Sequence, residues 1–384
     1  MAQEHGCEIY GSSKFVPDLE CARTVVRFTM LPFSPNRFII ELMDEHQSER
    51  YSRQTLFAPF GVVGQERLLA ARVVIIGCGA NGNIMANTLA RAGVGTLIVV
   101  DRDLIELKNL HRQILFDEDD WARGLPKAIA AAEKLRRANS SIRVEGIVAD
   151  VNAENIEELI AGATLVMDGT DNFDTRFLIN DACVKHAIPW IYSGVVASYG
   201  MTMTIVPRET ACLRCVFTRA PAPGTLPTCD TAGILPPIVN VIAALASAEA
   251  IKLIAGAGTR NAGIINVDIW DNSFEMFTLA RRADCLTCGQ GKFEYLESER
   301  RGALTAYLCG RNAIQINPGR GHTLDLAALA ERLRPVGQVS LNAYLLKLTV
   351  DDYHLTVFPD ARAIIHGTDD ATVARSVYAR YIGT

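Results

Sequence analysis

The chain has no excess of positive charge: 38 Lys and Arg stand against 43 Asp and Glu, a formal net charge of −5. A general nucleic-acid binder would show a strong basic excess, so nucleic acid is not an expected partner. The N-terminus carries Glu4 and Glu8 and lacks the basic start and apolar stretch of a secretory signal. Long hydrophobic runs are also scarce. The longest, 233–248, contains Pro236, Pro237 and Asn240 and is followed at once by Glu249 and Lys252. It falls short of the roughly 20 residues a spanning helix needs and reads as a buried helix, so no membrane is expected. No internal repeat and no low-complexity tract is present. These absences point to a cytoplasmic globular protein, and 384 residues suit one large domain with small additions.

Residues 1–46 have mixed character, with "TVVRF" and "RFIIEL" as short strand candidates. From residue 47 to 291 strand and helix alternate. "RVVIIG" is a β-branched run stopped by glycine, "NIMANTLARAG" a helix ending at Gly93, and "GTLIVVD" a second strand. "PKAIAAAEKLRRAN" and "NIEELIAG" read as helices, "RVEGIVAD" and "TLVMDGTD" as strands. This pattern predicts an α/β fold with a parallel, doubly wound Rossmann-like sheet. Trp190–Pro207 reads as strand, a long apolar helix starts near Ile234, and "GIINVDIWDNSFEMFTL" gives two more strands. Residues 292–384 read as a small C-terminal α+β domain: a helix, a meander of strands and a closing helix.

Gly77, Gly79 and Gly82 stand in G-x-G-x-x-G spacing between a strand and a helix. The first glycine permits the tight turn, the second lets backbone approach a phosphate, and the third lets helix and strand pack closely. Asp101 ends the next strand, 19 residues beyond Gly82, where a carboxylate can bond ribose hydroxyls. The pattern says nucleotide and fits NAD as well as ATP. The polar stretch after it, with Asn109, Arg112 and Gln113, is rich in side chains suited to phosphates, a stretch that a dehydrogenase does not need.

Ten cysteines in a cytoplasmic chain point to metal or redox work rather than disulfides. Cys212 and Cys215 form "CLRC", and Cys285 and Cys288 form "CLTC", 70 residues further on. Two such pairs complete a closed four-cysteine site for structural Zn2+; free thiols or a redox pair are the alternative. Cys229 sits in the proline- and glycine-rich "PAPGTLPTCDTAGILPP", a loop. Cys78 and Cys183 read as packing residues, and nothing around Cys309 activates its thiol.

The block "DRDLIELKNLHRQILF" resembles that of the ThiF/MoeB/HesA family, the prokaryotic relatives of ubiquitin-activating enzymes. "RYSRQ", the glycine loop, "GLPKA", "DGTDNFDTR" and "TCDTAGIL" follow the family order across residues 49–290. The resemblance implies an adenylyltransferase that uses ATP to activate the C-terminal carboxylate of a ubiquitin-like sulfur carrier ending in Gly-Gly, for thiamine thiazole or molybdopterin synthesis. It implies a doubly wound sheet extended by antiparallel strands. It places Asp101 on the ribose, with Gly77, Gly79, Gly82, Gln113 and Asn172 also lining the nucleotide. It places Asn109, Arg112 and Lys127 on the phosphates, Asp171 on Mg2+, and Arg53 in the partner subunit's site, hence a homodimer. Cys229 matches a position that in some members bonds the carrier covalently, though other members tolerate its loss. Asp168 reads as either a site acid or a strand-end acid, and Arg176 as a partner for an acid on its own helix.

Some relatives carry a rhodanese domain, and no rhodanese-like active loop follows Gly291, so a separate sulfurtransferase or cysteine desulfurase is the expected sulfur source. The C-terminal unit is expected to recruit the carrier or that partner. The alternatives are activation of a small-molecule or tRNA-linked carboxylate, or an NAD-dependent dehydrogenase.

Overall fold

The computed structural model divides the chain at Glu41/Leu42, and the described residues all belong to the second part. The structure describes residues 43–221, 228–297, 305–308, 312–319 and 322–383, with the 305–308 strand and Asp230 described by backbone alone. Cys7, Cys21, Cys309, the strand candidates before residue 43 and the stretch 222–227 before Cys229 lie outside the described residues.

The main sheet has eight strands: β1 (Arg72–Ile76), β2 (Thr96–Val100), β3 (Arg143–Ile147), β4 (Leu165–Asp168), β5 (Trp190–Val196), β6 (Tyr199–Ile205), β7 (Gly263–Asp268) and β8 (Ser273–Thr278). Their order is β3-β2-β1-β4-β5-β6-β7-β8. The first five are parallel and β5 to β8 pair antiparallel. Both faces are covered, which is why β1 is an unbroken apolar run. Val73 and Ile75 pack on the Ala80–Ala92, Lys127–Ala138 and Pro236–Ala255 helices, while Val74 and Ile76 pack on the Phe173–Lys185 helix. The chain leaves β1 toward β2 and β3 on one side and returns to β4 on the other. The switch point between β1 and β4 opens a crevice at their carboxyl ends, the usual ligand position in such sheets.

Three local expectations change. The stretch read as one strand after Trp190 is a hairpin, β5 and β6, that turns at Ala197 with φ 51°. An alanine in the left-handed region gives no turn signal. "NIEELIAG" holds only the single helical turn Ile156–Leu159. The apolar helix spans Pro236–Ala255, 20 residues, and so is long and apolar enough to cross a membrane. It instead packs Ile238, Val239, Ile242, Ala243, Ala246 and Ala250 into the core of the sheet.

The C-terminal part forms a second, antiparallel sheet of β9 (Thr305–Leu308), β10 (Ala313–Ile316), β11 (Gln338–Leu341), β12 (Leu346–Val350), β13 (Tyr353–Val357) and β14 (Ala363–His366), in the order β11-β12-β13-β14-β10-β9. The Leu326–Leu333 and Ala371–Tyr381 helices cover one face with their own apolar core. A smaller cluster of Ala313, Leu345, Phe358 and Ile364 packs Leu104 and Val148, which follow β2 and β3 of the main sheet.

Candidate active site

Backbone crowding explains the glycines. Gly77 has φ 87°, and a Cβ on it would strike the Gly169 backbone; a Cβ on Gly82 would overlap the Gly77 carbonyl. The loop therefore lies flat on the β4 turn, and the Ala80–Ala92 helix begins beyond it with no side-chain cap at Gly79. Uncapped N–H groups at a helix N-terminus in the switch-point crevice favour an anion.

Asp101 braces this loop. Its Oδ2 accepts from the Cys78 N–H at 2.6 Å and its Oδ1 from the Asp103 N–H at 2.6 Å. Each oxygen keeps a further lone pair for a ribose hydroxyl. Burial pushes the Asp101 carboxyl up, and the Lys127 ammonium pulls it back down. Lys127 is 4% exposed, and its Nζ lies 3.0 Å from Asp103 Oδ2. Its N–H also donates to the Asp103 carbonyl at 2.9 Å. A lysine in the first position of a helix opposes the helix dipole, and burying it adds a desolvation cost. Concentrating that positive charge beside the glycine loop suits polyphosphate binding. Sequence reasoning misses Asp103, the second acid of the "DRD" triplet; its spacing from Asp101 is the available signal.

Asn109 and Gln113 are each 2% exposed on and just after the Leu107–Asn109 turn. Asn109 Oδ1, Gln113 Oε1 and Arg112 Nε are buried and have no hydrogen-bond partner among the described residues. An unpaired buried polar atom costs about 1–3 kcal/mol, so a polar ligand that pairs them gains correspondingly. The Arg112 Nε–H can donate to a phosphate oxygen, while the two amide oxygens can accept from hydroxyl or amino groups of a nucleotide.

At the end of β4 two acids part ways. Asp168 is fully buried, with Arg176 Nε at 3.2 Å, and is the strand-end acid. Arg176 does not pair with an acid on its own helix: it reaches back to Asp168 and donates to the Thr170 and Ser193 carbonyls at 2.7 and 3.2 Å. The guanidinium thereby holds the turn that carries Asp171, whose carboxylate is exposed at the mouth of the crevice. A hard oxygen donor there suits Mg2+. Asn172 spends its Oδ1 on capping the next helix, accepting from the Thr175 N–H at 2.9 Å. Its Nδ2 lies 3.5 Å from Asp171 Oδ1, so the side chain is engaged with its own turn at both ends.

Cys229 starts the one-turn Cys229–Ala232 helix, half-buried, with Sγ 3.7 Å from the Val195 carbonyl. Val195 lies at the carboxyl end of β5, on the same sheet edge as the glycine loop and two strands along from it. Arg53 stands apart: it is exposed in the Ser52–Thr55 helix with no hydrogen bond or ion pair to the described residues. Leu56, Phe57, Val62 and Val63 around it are also exposed.

The four thiols of Cys212, Cys215, Cys285 and Cys288 lie within 4.8 Å of one another. Three of their separations are 3.4, 3.6 and 3.9 Å. Four thiolates at about 2.3 Å from a tetrahedral zinc would stand about 3.8 Å apart, so the donor set fits that ion. A hydrogen bond with Cys215, and then burial, push the Cys212 thiol up; a divalent cation would offset this. Asp181 fastens the cluster to the Phe173–Lys185 helix, accepting from Thr287 Oγ1 and the Tyr295 N–H, both at 2.9 Å. Metal analysis is expected to find one zinc per chain, and Cys285→Ser to lose it with a lower Tm; active protein with under about 0.2 zinc per chain overturns the assignment.

The ThiF family profile matches residues 51–287. The sulfur carrier protein ThiS adenylyltransferase of Bacillus subtilis (strain 168) is 45% identical over 337 residues, 87% of this chain and 99% of that one. The ThiS adenylyltransferase of Escherichia coli (strain K12) is 36% identical over 248 residues, 64% of this chain and 97% of that one. Among solved structures, E. coli MccB crystallised with ATP superposes with a TM-score of 0.55 at 28% identity, covering 62% of this chain and 74% of that one.

Proposed function

Because the chain belongs to the ThiF family, we propose that it uses ATP to adenylate the C-terminal glycine carboxylate of a ubiquitin-like sulfur-carrier protein. The observation that carries this reading is the buried Lys127–Asp103–Asp101 chain holding the glycine loop, with the orphan atoms of Asn109, Arg112 and Gln113 beside it. The helix N-terminus, Arg112 and Lys127 hold the phosphates, and Asp101 the ribose. A carrier carboxylate oxygen attacks the α-phosphorus, the bond to the bridging oxygen breaks, and pyrophosphate leaves with its electron pair. Positive groups placed around the developing charge lower the barrier. Mg2+, held by Asp171, would neutralise phosphate charge. Zinc at the four cysteines is structural.

The protein works as a homodimer in the cytoplasm. The exposed apolar surface around Arg53 is the interface, and Arg53 completes the partner's site. The carrier serves thiamine thiazole or molybdopterin synthesis, and a separate sulfurtransferase or cysteine desulfurase supplies sulfur. Exchange of labelled pyrophosphate into ATP, measured with a ThiS-like and a MoaD-like carrier ending in Gly-Gly, tests the activity and names the carrier. Absence of exchange with either sinks it.

The Cys229 thiolate then attacks the acyl carbon of the carrier adenylate, a thioester forms, and AMP departs. Cys229→Ser should leave exchange within about twofold of wild type and abolish the thiol-sensitive carrier adduct on a non-reducing gel. Loss of exchange in this variant would contradict the separation of the two steps.

A further inference from the structure

We propose that the C-terminal unit braces the nucleotide site, with Gln315 and Arg362 as positioning residues that hold the turn after β2 in its ATP-binding shape. The inference rests on the adenylation reading for the identity of the ligand. Gln315 on β10 and Arg362 just before β14 belong to a part of the chain beyond residues 51–287, the extent of the family match. Both nevertheless end on the residues that set the ribose and phosphate contacts.

Two chains of bonds make the connection. Gln315 Nε2 donates to Asp150 Oδ2 at 2.6 Å, and Asp150 Oδ1 accepts from Arg102 Nη1 at 2.8 Å. Arg362 donates from Nη2 to the Arg102 carbonyl at 3.3 Å and from Nη1 to Gln315 Oε1 at 3.4 Å. Arg102 stands between Asp101, which bonds the glycine loop, and Asp103, which holds Lys127. The C-terminal unit therefore grips the middle of the three-residue turn from both its side chain and its backbone. Leu104, next along, is bridged to Pro126, the residue before Lys127, and packs on Leu345, Phe358 and Ile364 of the C-terminal unit.

The chemistry of Arg362 argues against simple packing. Its side chain is 1% exposed, stacked with the guanidinium carbon 3.7 Å from the Phe358 ring centroid. Its nearest carboxylate, Asp360, lies 3.8 Å from Nε, and that nitrogen has no hydrogen-bond partner among the described residues. A buried cation whose one ion pair is long and makes no hydrogen bond is expensive, and an apolar side chain would fill the same space at lower cost. What a planar fork adds is two simultaneous, fixed directions, toward Gln315 and toward the Arg102 carbonyl. Small displacements of such a turn matter, because misplacing a binding group by about 1 Å can cost up to a hundredfold in rate.

The length of the relatives agrees with an accessory role. The Escherichia coli relative matches over 248 residues at 97% of its length, whereas the Bacillus subtilis match of 337 residues must run past residue 291 wherever it begins. Both proteins are named ThiS adenylyltransferases, so the added unit tunes the site rather than creating it.

The test uses the full chain and four proteins: wild type, Gln315→Leu, Arg362→Met, and Ile365→Ala. Ile365 is buried in the separate core of the C-terminal unit and serves as the stability control. ATP affinity is measured by calorimetry, and exchange gives KM for ATP, KM for carrier and kcat. Both junction variants are expected to raise the Kd and KM for ATP about tenfold with kcat and carrier KM within about threefold. Ile365→Ala is expected to lower Tm as much or more and leave ATP affinity unchanged. If Arg362→Met is insoluble, Gln315→Leu decides alone. ATP affinity within about twofold of wild type in Gln315→Leu overturns the brace, as does an equal loss in the control. A wild-type chain that binds no ATP overturns the adenylation reading and the brace together, which separates the two failures.

Discussion

Replacing Lys127 with Met should reduce ATP–pyrophosphate exchange by about 10³-fold, close to 4 kcal/mol of lost transition-state stabilisation. Methionine keeps most of the volume and removes the charge, so packing in the first turn of the Lys127–Ala138 helix survives. The loss has two parts. The phosphates lose a cation that is held in place before they arrive, and Asp103 loses its partner 3.0 Å away. With Lys127 gone and only more distant cations such as Arg102 at 3.9 Å left to offset it, the Asp103 carboxylate repels the phosphates. Lys127→Arg should recover only part of the rate, since a planar fork cannot reproduce a point charge in the same buried space. Exchange within tenfold of wild type in Lys127→Met would remove Lys127 from the site. A Tm measured alongside separates lost chemistry from lost fold.

Asp171→Ala should abolish exchange to a similar depth with Tm unchanged, because the side chain is exposed and caps no helix. Asp168→Asn, three residues earlier, should do the opposite first. Asp168 is fully buried against Arg176, and removing one member of a buried pair costs about 3–5 kcal/mol of stability. Thermal melts and exchange on both variants test the division. The assignment fails if Asp171→Ala keeps more than about a tenth of wild-type exchange at saturating Mg2+. It fails equally if the two variants destabilise alike.

Much of this is readable in the sequence where chemistry and chain order coincide. The run Arg72–Ile76 stops at a glycine because both its faces are buried and the next residue must turn with positive φ. Asp101, Asn109, Arg112, Gln113, Lys127 and Asp171 lie in ordered blocks along one sheet edge, so their spacing records their assembly. The four cysteines are legible because two close thiol pairs in C-x-x-C spacing are a metal-ligand pattern in their own right. What is not legible depends on the third dimension. Ala197 turns a hairpin without a turn residue, held by its N–H bond to the Gly233 carbonyl. Asn172 has the composition of a ligand residue and spends its oxygen as a helix cap. Arg176 finds its acid across a turn rather than along its helix. Arg362 touches Arg102 from 260 residues away, and no local pattern marks such a partner.

The four cysteines have one more consequence. Cys212 and Cys215 sit just before the stretch that leads to Cys229, while Cys285 and Cys288 follow β8. A metal bound between them would buckle the intervening chain into a closed belt that contains the Cys229–Ala232 helix, the Pro236–Ala255 helix and the β7–β8 hairpin. Asp101, Lys127 and Asp171 all lie outside the belt. Stripping a metal from these thiols would therefore loosen the ends of the belt that holds Cys229 first, and reach the glycine loop only through the Pro236–Ala255 helix, which shares a core with the Ala80–Ala92 helix. On the proposed reading, the Cys229 step should then be lost before nucleotide binding.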